Sequence, residues 1–186
     1  MNKFILFTAA AVAIASAFTS CADDDTKSTW EEYADWRQTN ITWLEQQQAR
    51  TNADGTKYYE VVSPSWYVGS YVLVHKVGES NTDNLRPLSN SVVEVIYQGF
   101  NCEGERFDSS LAATPGAAVT RNFKLNEVID GWTAALETMH VGDSAEIICP
   151  YQMAYGASAV GSLIQPYSAL RFNIRLVDIP AYEVKP

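Results

Sequence analysis

The chain has 186 residues, 47% of them hydrophobic, and 13 basic against 22 acidic side chains give a formal charge of −9. This is one domain's worth of globular chain, with enough apolar residues to build a core. The acidic balance argues against nucleic acid and against an anionic membrane surface as partners.

The first 20 residues read as a targeting segment rather than as part of the fold. Asn2-Lys3 supplies a short positive start, and Phe4 to Phe18 is an apolar run too short to span a bilayer comfortably. It ends in Phe18-Thr19-Ser20-Cys21, which resembles a lipoprotein signal cleaved before Cys21, with Phe where Leu is usual. A lipid on Cys21 would tether the protein to a membrane without spanning it. Residues 21–27 then form an acidic tether. Its Ala22-Asp23-Asp24-Asp25 is either a solvated linker or similar to the surface-export signal of Bacteroidetes lipoproteins. Together these place the protein in the cell envelope, lipid-anchored, at the outer membrane in the first instance, periplasmic or surface-exposed.

Residues 28–55 are expected to hold an N-terminal helix and a turn. Thr26 to Arg50 reads as one helix opened by a capping box, Ser28 with Glu31 or Thr29 with Glu32. Trp30, Tyr33, Ile41 and Leu44 fall near one face, with Trp36 and Trp43 on an adjacent one. Three tryptophans need a surface to cover. That surface is either the chain's own domain, giving a monomer, or a second copy. We expect the monomer, with the helix on the outer side of the sheet. Asn52-Ala53-Asp54-Gly55 is a turn signal.

Residues 56–182 are expected to form the main domain. Strands are predicted at Tyr58–Val62, Ser70–Val77, Val92–Gln98, Glu105–Phe107, Ser144–Cys149 and Leu170–Val177. The last has a clean period of two, with Leu170, Phe172, Ile174 and Leu176 on one face. Residues 79–90 and 111–120 read as loops. Val128, Trp132, Leu136 and Met139 recur at helical spacing, which predicts a short amphipathic helix over 128–139 closed by Gly142. Antiparallel strands around one helix make an α+β domain. Cys102 and Cys149 are expected to be free thiols. With only His75 and His140, and no CxxC, no metal site and no cofactor is expected.

Five short motifs carry the functional reading. They are Tyr97-Gln98-Gly99, Phe107-Asp108-Ser109-Ser110, Glu127-Val128-Ile129-Asp130-Gly131-Trp132, Ala154-Tyr155-Gly156 and Leu170-Arg171-Phe172. Their order and spacing resemble the FKBP-type peptidyl-prolyl cis-trans isomerases, over roughly Ser70 to Ile179. The resemblance implies an antiparallel sheet wrapped around one short helix. It also implies an apolar pocket that binds an Xaa-Pro bond. Trp132 would be its floor, with walls from Tyr97, Phe107, Val128, Ile129 and Phe172. Tyr155 and the Ile129 backbone N–H would donate to a substrate carbonyl, and Val160 and Ile164 would close the site from a loop. Asp108 would orient Tyr97 or polarise the amide; its plainer reading is a turn-stabilising acceptor.

The implied partners are proline-containing polypeptides and macrolide inhibitors such as rapamycin. Two departures bear on preference and drug affinity. Val119-Thr120-Arg121-Asn122 stands where the family often has an aromatic wall, and Val160 where some relatives have histidine. The alternative function is a binding or chaperone module of the same fold without turnover.

Overall fold

The computed structural model describes residues 27–111 and 119–183. The signal segment, Cys21 and most of the tether and of the 111–120 loop lie outside the described residues. Two helices come first, α1 (Thr29–Glu32) and α2 (Ala34–Ala49). The strands are β1 (Glu60–Val62), β2 (Val72–Val77), β3 (Val92–Phe100), β4 (Arg106–Ser109), β5 (Arg121–Lys124), β6 (Ser144–Cys149) and β7 (Leu170–Ala181). Helix α3 (Asp130–Leu136) lies between β5 and β6. Among the described residues, all seven strands join one antiparallel sheet in the order β1-β2-β6-β7-β3-β4, with β5 also on β3. The α+β class and the sheet wrapped on a short helix are as expected from the sequence.

Period-two patterning decides which way the sheet faces. In β7, Leu170, Phe172, Ile174 and Leu176 are buried, while Asn173 and Arg175 are exposed between them. Val93, Val95 and Tyr97 of β3 and Val72 and Val74 of β2 join them in a core that encloses α3. The intervening residues Leu73 of β2 and Ile148 of β6 point to the convex side and, with Tyr59, form a second, smaller cluster.

Helix α3 departs from the sequence reading in length and in character. It spans seven residues, and Val128 and Ile129 are extended backbone before it. Met139 is buried in the turn after it, and Gly142, at φ +98°, makes the bend into β6. Every residue from Gly131 to Leu136 is buried, so the helix has no solvent face beyond its first residue. The reason is enclosure: the sheet covers one side, while Leu125 and Met153, from two short 3₁₀ turns, join the same core. Gly131 is the closest approach. A Cβ there would collide with the Cys149 thiol and lie 2.9 Å from the Met153 carbonyl oxygen. The buried Thr133 hydroxyl donates to the Leu125 carbonyl at 2.6 Å.

The N-terminal helix is broken where a single helix was expected. The Ser28–Glu31 capping box forms, but the helical run stops at Tyr33, whose backbone is at φ −100°, ψ 24°. Before the break Trp30 packs edge-on against Tyr167 at 5.2 Å, and the Arg37 guanidinium, from α2, sits 3.3 Å above the Trp30 ring and donates to the Trp30 carbonyl. These contacts give the Trp30 side chain a partner that a straight helix would have to provide along its own axis.

Helix α2 lies on the convex face of the sheet, where Trp43 and Leu44 pack on Tyr59, Leu73 and Ile148. Its buried centre is a polar residue. Asn40 is 2% exposed; its Oδ1 accepts from the Ala169 N–H at 2.8 Å and its Nδ2 donates to the Trp36 carbonyl. One turn earlier the Trp36 indole donates to Ser168 Oγ at 3.0 Å. At the other end, Arg50 stacks on Tyr58 and pairs with Glu146, which also accepts from the Tyr59 hydroxyl. No helix among the described residues is long and apolar enough to cross a membrane.

Asn40→Ala should cost about 1–3 kcal/mol, because it leaves the buried Ala169 amide without an acceptor. The urea midpoint should fall with little change in slope. A midpoint shift within error would show that Asn40 does not fasten the helix.

Candidate functional site

The concave face opens into a cleft lined by Tyr97, Phe107, Asp108, Phe123, Val128, Ile129, Trp132, Tyr155 and Phe172. These nine residues come from seven segments of the wrap. Strands β3, β4, β5 and β7 give Tyr97, Phe107 with Asp108, Phe123 and Phe172. The extended run into α3 gives Val128 and Ile129, α3 gives Trp132, and the segment after β6 gives Tyr155. The cleft volume is about 100 Å³. Drug-sized ligands fill about 300–1,000 Å³, so this space fits one small ring.

Trp132 is the floor and is 4% exposed. Three rings meet it edge-on: Tyr97 at 5.0 Å, Phe172 at 5.3 Å and Phe123 at 5.4 Å, with interplanar angles of 82–83°. Phe107 is edge-on to Phe172 in turn, at 5.6 Å. Edge-to-face contact sets the positive rim of one ring against the negative face of another, and each such pair is worth ~0.5–1.5 kcal/mol beyond area burial. The geometry requires glycine at position 99. A Cβ there would lie 2.6 Å from the Phe107 ring and 2.9 Å from Phe172.

The polar groups are few. The Tyr97 hydroxyl donates to Asp108 Oδ2 at 2.5 Å, and the Ser109 N–H donates to Asp108 Oδ1 at 2.7 Å. Asp108 is thus an acceptor for both the Tyr97 hydroxyl and the N–H of the next residue in its own strand. Ser110 completes the lock, since its Oγ accepts from the Tyr97 N–H at 2.8 Å and its N–H donates to the Tyr97 carbonyl at 2.9 Å. Burial first, then the hydrogen bond to Asp108, pushes the Tyr97 phenol well up. Burial and then the Asp108 charge raise Tyr155 as well. Both stay protonated at neutral pH and are donors. The Tyr155 hydroxyl and the Ile129 N–H make no hydrogen bond among the described residues, whereas the Ile129 carbonyl opens α3 by accepting from Trp132 and Thr133. The Trp132 indole Nε1 is buried and unpaired among the described residues.

The site residues read from the sequence converge here with two exceptions. Val160 and Ile164 line a separate depression next to the cleft, with Phe107, Asp108, Tyr155 and Leu163. They bridge to each other, the Val160 N–H donating to the Ile164 carbonyl at 2.9 Å, and their depression shares Phe107, Asp108 and Tyr155 with the cleft. Phe123 is a wall that the sequence reading missed. It lies in a strand of only four residues that shows no alternation of its own. Its pairing with Val93 was the available signal, and that pairing is long-range. Among the two thiols, Cys149 is buried beside Gly131, and burial raises Cys102, in the turn after β3, to about 11.

Comparison with known proteins agrees with this geometry. The family model described as FKBP-type peptidyl-prolyl cis-trans isomerase matches residues 84–177, half of the chain. The macrophage infectivity potentiator of Trypanosoma cruzi is 42% identical over 93 residues, covering 50% of this chain and 45% of that protein. The outer membrane protein MIP of Legionella longbeachae is 35% identical over 107 residues, covering 58% of this chain and 44% of its own length. The chain thus spans less than half the length of these curated relatives. The crystal structure of a peptidyl-prolyl cis-trans isomerase from Pseudomonas syringae superposes with a TM-score of 0.63 at 25% identity, over 79% of this chain and 95% of that one. An aromatic cleft with this lining, the five motifs that build it and a family match over the same residues lead to one assignment: the chain belongs to the FKBP-type peptidyl-prolyl cis-trans isomerase family.

Proposed function

We propose that the protein is a lipid-anchored prolyl isomerase of the cell envelope that assists the folding of proline-containing clients. The observation that carries this reading is the cleft: one ring-sized, mainly aromatic space with an indole floor and the Tyr155 hydroxyl and Ile129 N–H left without a partner among the described residues. Rotation about a peptide C–N bond faces a barrier of ~18–20 kcal/mol. At the top of that barrier the amide is twisted, conjugation is lost and the carbonyl dipole falls. A water-poor aromatic cleft therefore favours the twisted form over the planar one, and no bond is made or broken. Trp132 supports the proline ring. The Ile129 N–H and the Tyr155 hydroxyl hold the substrate carbonyl. Asp108 keeps the Tyr97 hydroxyl turned out of the ring's path, and its charge faces the reacting amide. The depression at Val160, Leu163 and Ile164 takes an apolar residue before the proline. A macrolide such as rapamycin exceeds the cleft and would have to spread into that depression.

The envelope location rests on the Phe18-Thr19-Ser20-Cys21 signal and on the likeness to the Legionella relative, an outer membrane protein. Residues 1–20 would be the signal peptide and 21–27 the tether, with the helix region 28–55 and the isomerase domain 56–182 behind it. The docked helix supports a monomer.

The direct test is accelerated cis-to-trans conversion of a Leu-Pro peptide by the full chain in non-ionic detergent. A rate no higher than the uncatalysed one, from a folded sample, would favour the binding module without turnover. Asp108→Ala and Tyr155→Phe should each lower kcat/KM on the order of three- to thirtyfold, about 0.7–2 kcal/mol of transition-state stabilisation, with unchanged circular dichroism. Wild-type rates in both would leave desolvation as the whole mechanism.

Gly99→Ala should lower kcat/KM more than stability. The new methyl drives the Phe107 and Phe172 rings from their places, and the open cleft is the free direction. Equal losses in activity and in unfolding midpoint would show a general core defect instead.

Cys21→Ser should abolish palmitate labelling and leave the precursor uncleaved in a bacterial host. Continued processing and membrane fractionation would overturn the lipid anchor.

A further inference from the structure

A second trough runs from the cleft on the side away from Val160 and Ile164. It shares Tyr97, Asp108 and Phe123 with the cleft and adds Val119, Thr120, Arg121 and Asn122. Strand register explains why a cation lies there. Arg121 pairs with Val95 and Phe123 with Val93, so residues 121 and 123 share the face that carries Tyr97. Phe123 forms a cleft wall, and Arg121, one step nearer the strand end, reaches the rim beyond it.

Three observations mark this guanidinium as available to a ligand. It is exposed, and it makes no ion pair with Asp108 or with any other described carboxylate. Residues 109–120, which connect it to Asp108, contain no acidic side chain at all. Arg121 lines the same trough as Tyr97, and its positive charge opposes the upward push of burial and Asp108 on the Tyr97 phenol. In a chain of net charge −9, an unpaired cation beside the reacting space is a local exception to the surrounding field.

We propose that the Thr120–Arg121–Asn122 trough is a subsite for a carboxylate side chain of the client, so that the protein prefers an acidic residue one or two positions after the proline. This rests on the isomerase reading. If the Val160–Ile164 depression takes the residue before the proline, the chain leaves the cleft across Tyr97 toward Arg121. The Arg121 guanidinium presents parallel N–H donors that match the two oxygens of a carboxylate. Asp108 stands between cleft and trough, but its oxygens already accept from Tyr97 and Ser109, and those bonds offset part of its repulsion.

The test uses the full chain in non-ionic detergent and three peptides that differ only after a Leu-Pro pair, carrying Glu, Gln or Lys. Both kcat/KM and affinity, the latter from chemical-shift titration, are read at low and high salt. Glu should exceed Gln by on the order of two- to fivefold at low salt, the size of an exposed ion pair, with Lys below both. The spread should narrow at high salt. Arg121→Gln should flatten the order, Arg121→Glu should reverse it, and Arg121→Lys should retain part of it. Affinities that follow this order without any turnover would sink the isomerase reading and keep the subsite. Turnover of all three peptides with Lys equal to or above Glu would do the opposite. A folded Arg121→Glu that still favours Glu would overturn the subsite, and if that variant does not fold, Arg121→Gln decides in the same way.

Discussion

The burial of one indole is the constraint on which the rest of this structure depends. Trp132 is too large to be covered by any single neighbour. The fold surrounds it by curling a sheet until strands β3, β5 and β7 each bring one ring edge-on to it. That arrangement demands a short helix, because a longer one would push out through the wrap. It demands glycine at 131, where α3 touches Cys149, and glycine at 99, where two wall rings cross the β3 backbone. It also leaves only a small part of the indole open, since Trp132 is 4% exposed, and the indole lines the cleft. Core packing and the reacting surface are therefore the same set of rings. A Trp132→Ala change would lose both, and the stability part alone is about 3–5 kcal/mol.

Rigidity follows from how the few polar groups are used. The Tyr97 backbone is held on both its N–H and carbonyl by Ser110, and its hydroxyl by Asp108. A tyrosine fixed at three points cannot swing into the space reserved for a proline ring. Tyr155 is different. It is 39% exposed, with a hydroxyl that no described residue engages. Catalysis by preferential binding of a twisted amide needs this combination, with fixed walls to exclude water and a donor left free for the substrate.

Legibility in the sequence divides along the same line. The motifs that build the cleft are local: Phe107-Asp108-Ser109-Ser110 is one strand end, and Ile129-Asp130-Gly131-Trp132 is one helix start. Period-two alternation in β7 and β3 likewise assigned the core face, since a strand's facing is written in its own residues. What could not be read depends on partners far along the chain. Phe123 faces the cleft because β5 pairs with β3, not because of its neighbours in sequence. Helix α3 looks amphipathic in isolation, yet Thr133 and Ala134 are buried because other segments close over them. Asn40, the most buried residue of α2, is polar and invisible to a search for apolar stripes; its value lies in one amide 129 residues away.

That amide links the two faces of the sheet. Ser168 and Ala169, where Trp36 and Asn40 attach, end the segment that also carries Tyr155, Val160 and Ile164. Next to them Tyr167 holds a left-handed backbone, φ +64°, which a bulky residue adopts only at a cost of about 1–3 kcal/mol. Its ring is clamped by Trp30 at 5.2 Å and Tyr151 at 5.4 Å, while its N–H donates to the Gly156 carbonyl directly after Tyr155. The strained residue is thus secured from the convex side by α1 and α2 and tied on the other side to the free donor of the cleft. A broken N-terminal helix makes sense in this light: the bend at Tyr33 lets Trp30 reach Tyr167 while α2 keeps Trp36 and Asn40 on the next two residues. Helices α1 and α2 contribute no residue to the cleft lining, but they fix the base of the loop from which Tyr155 projects.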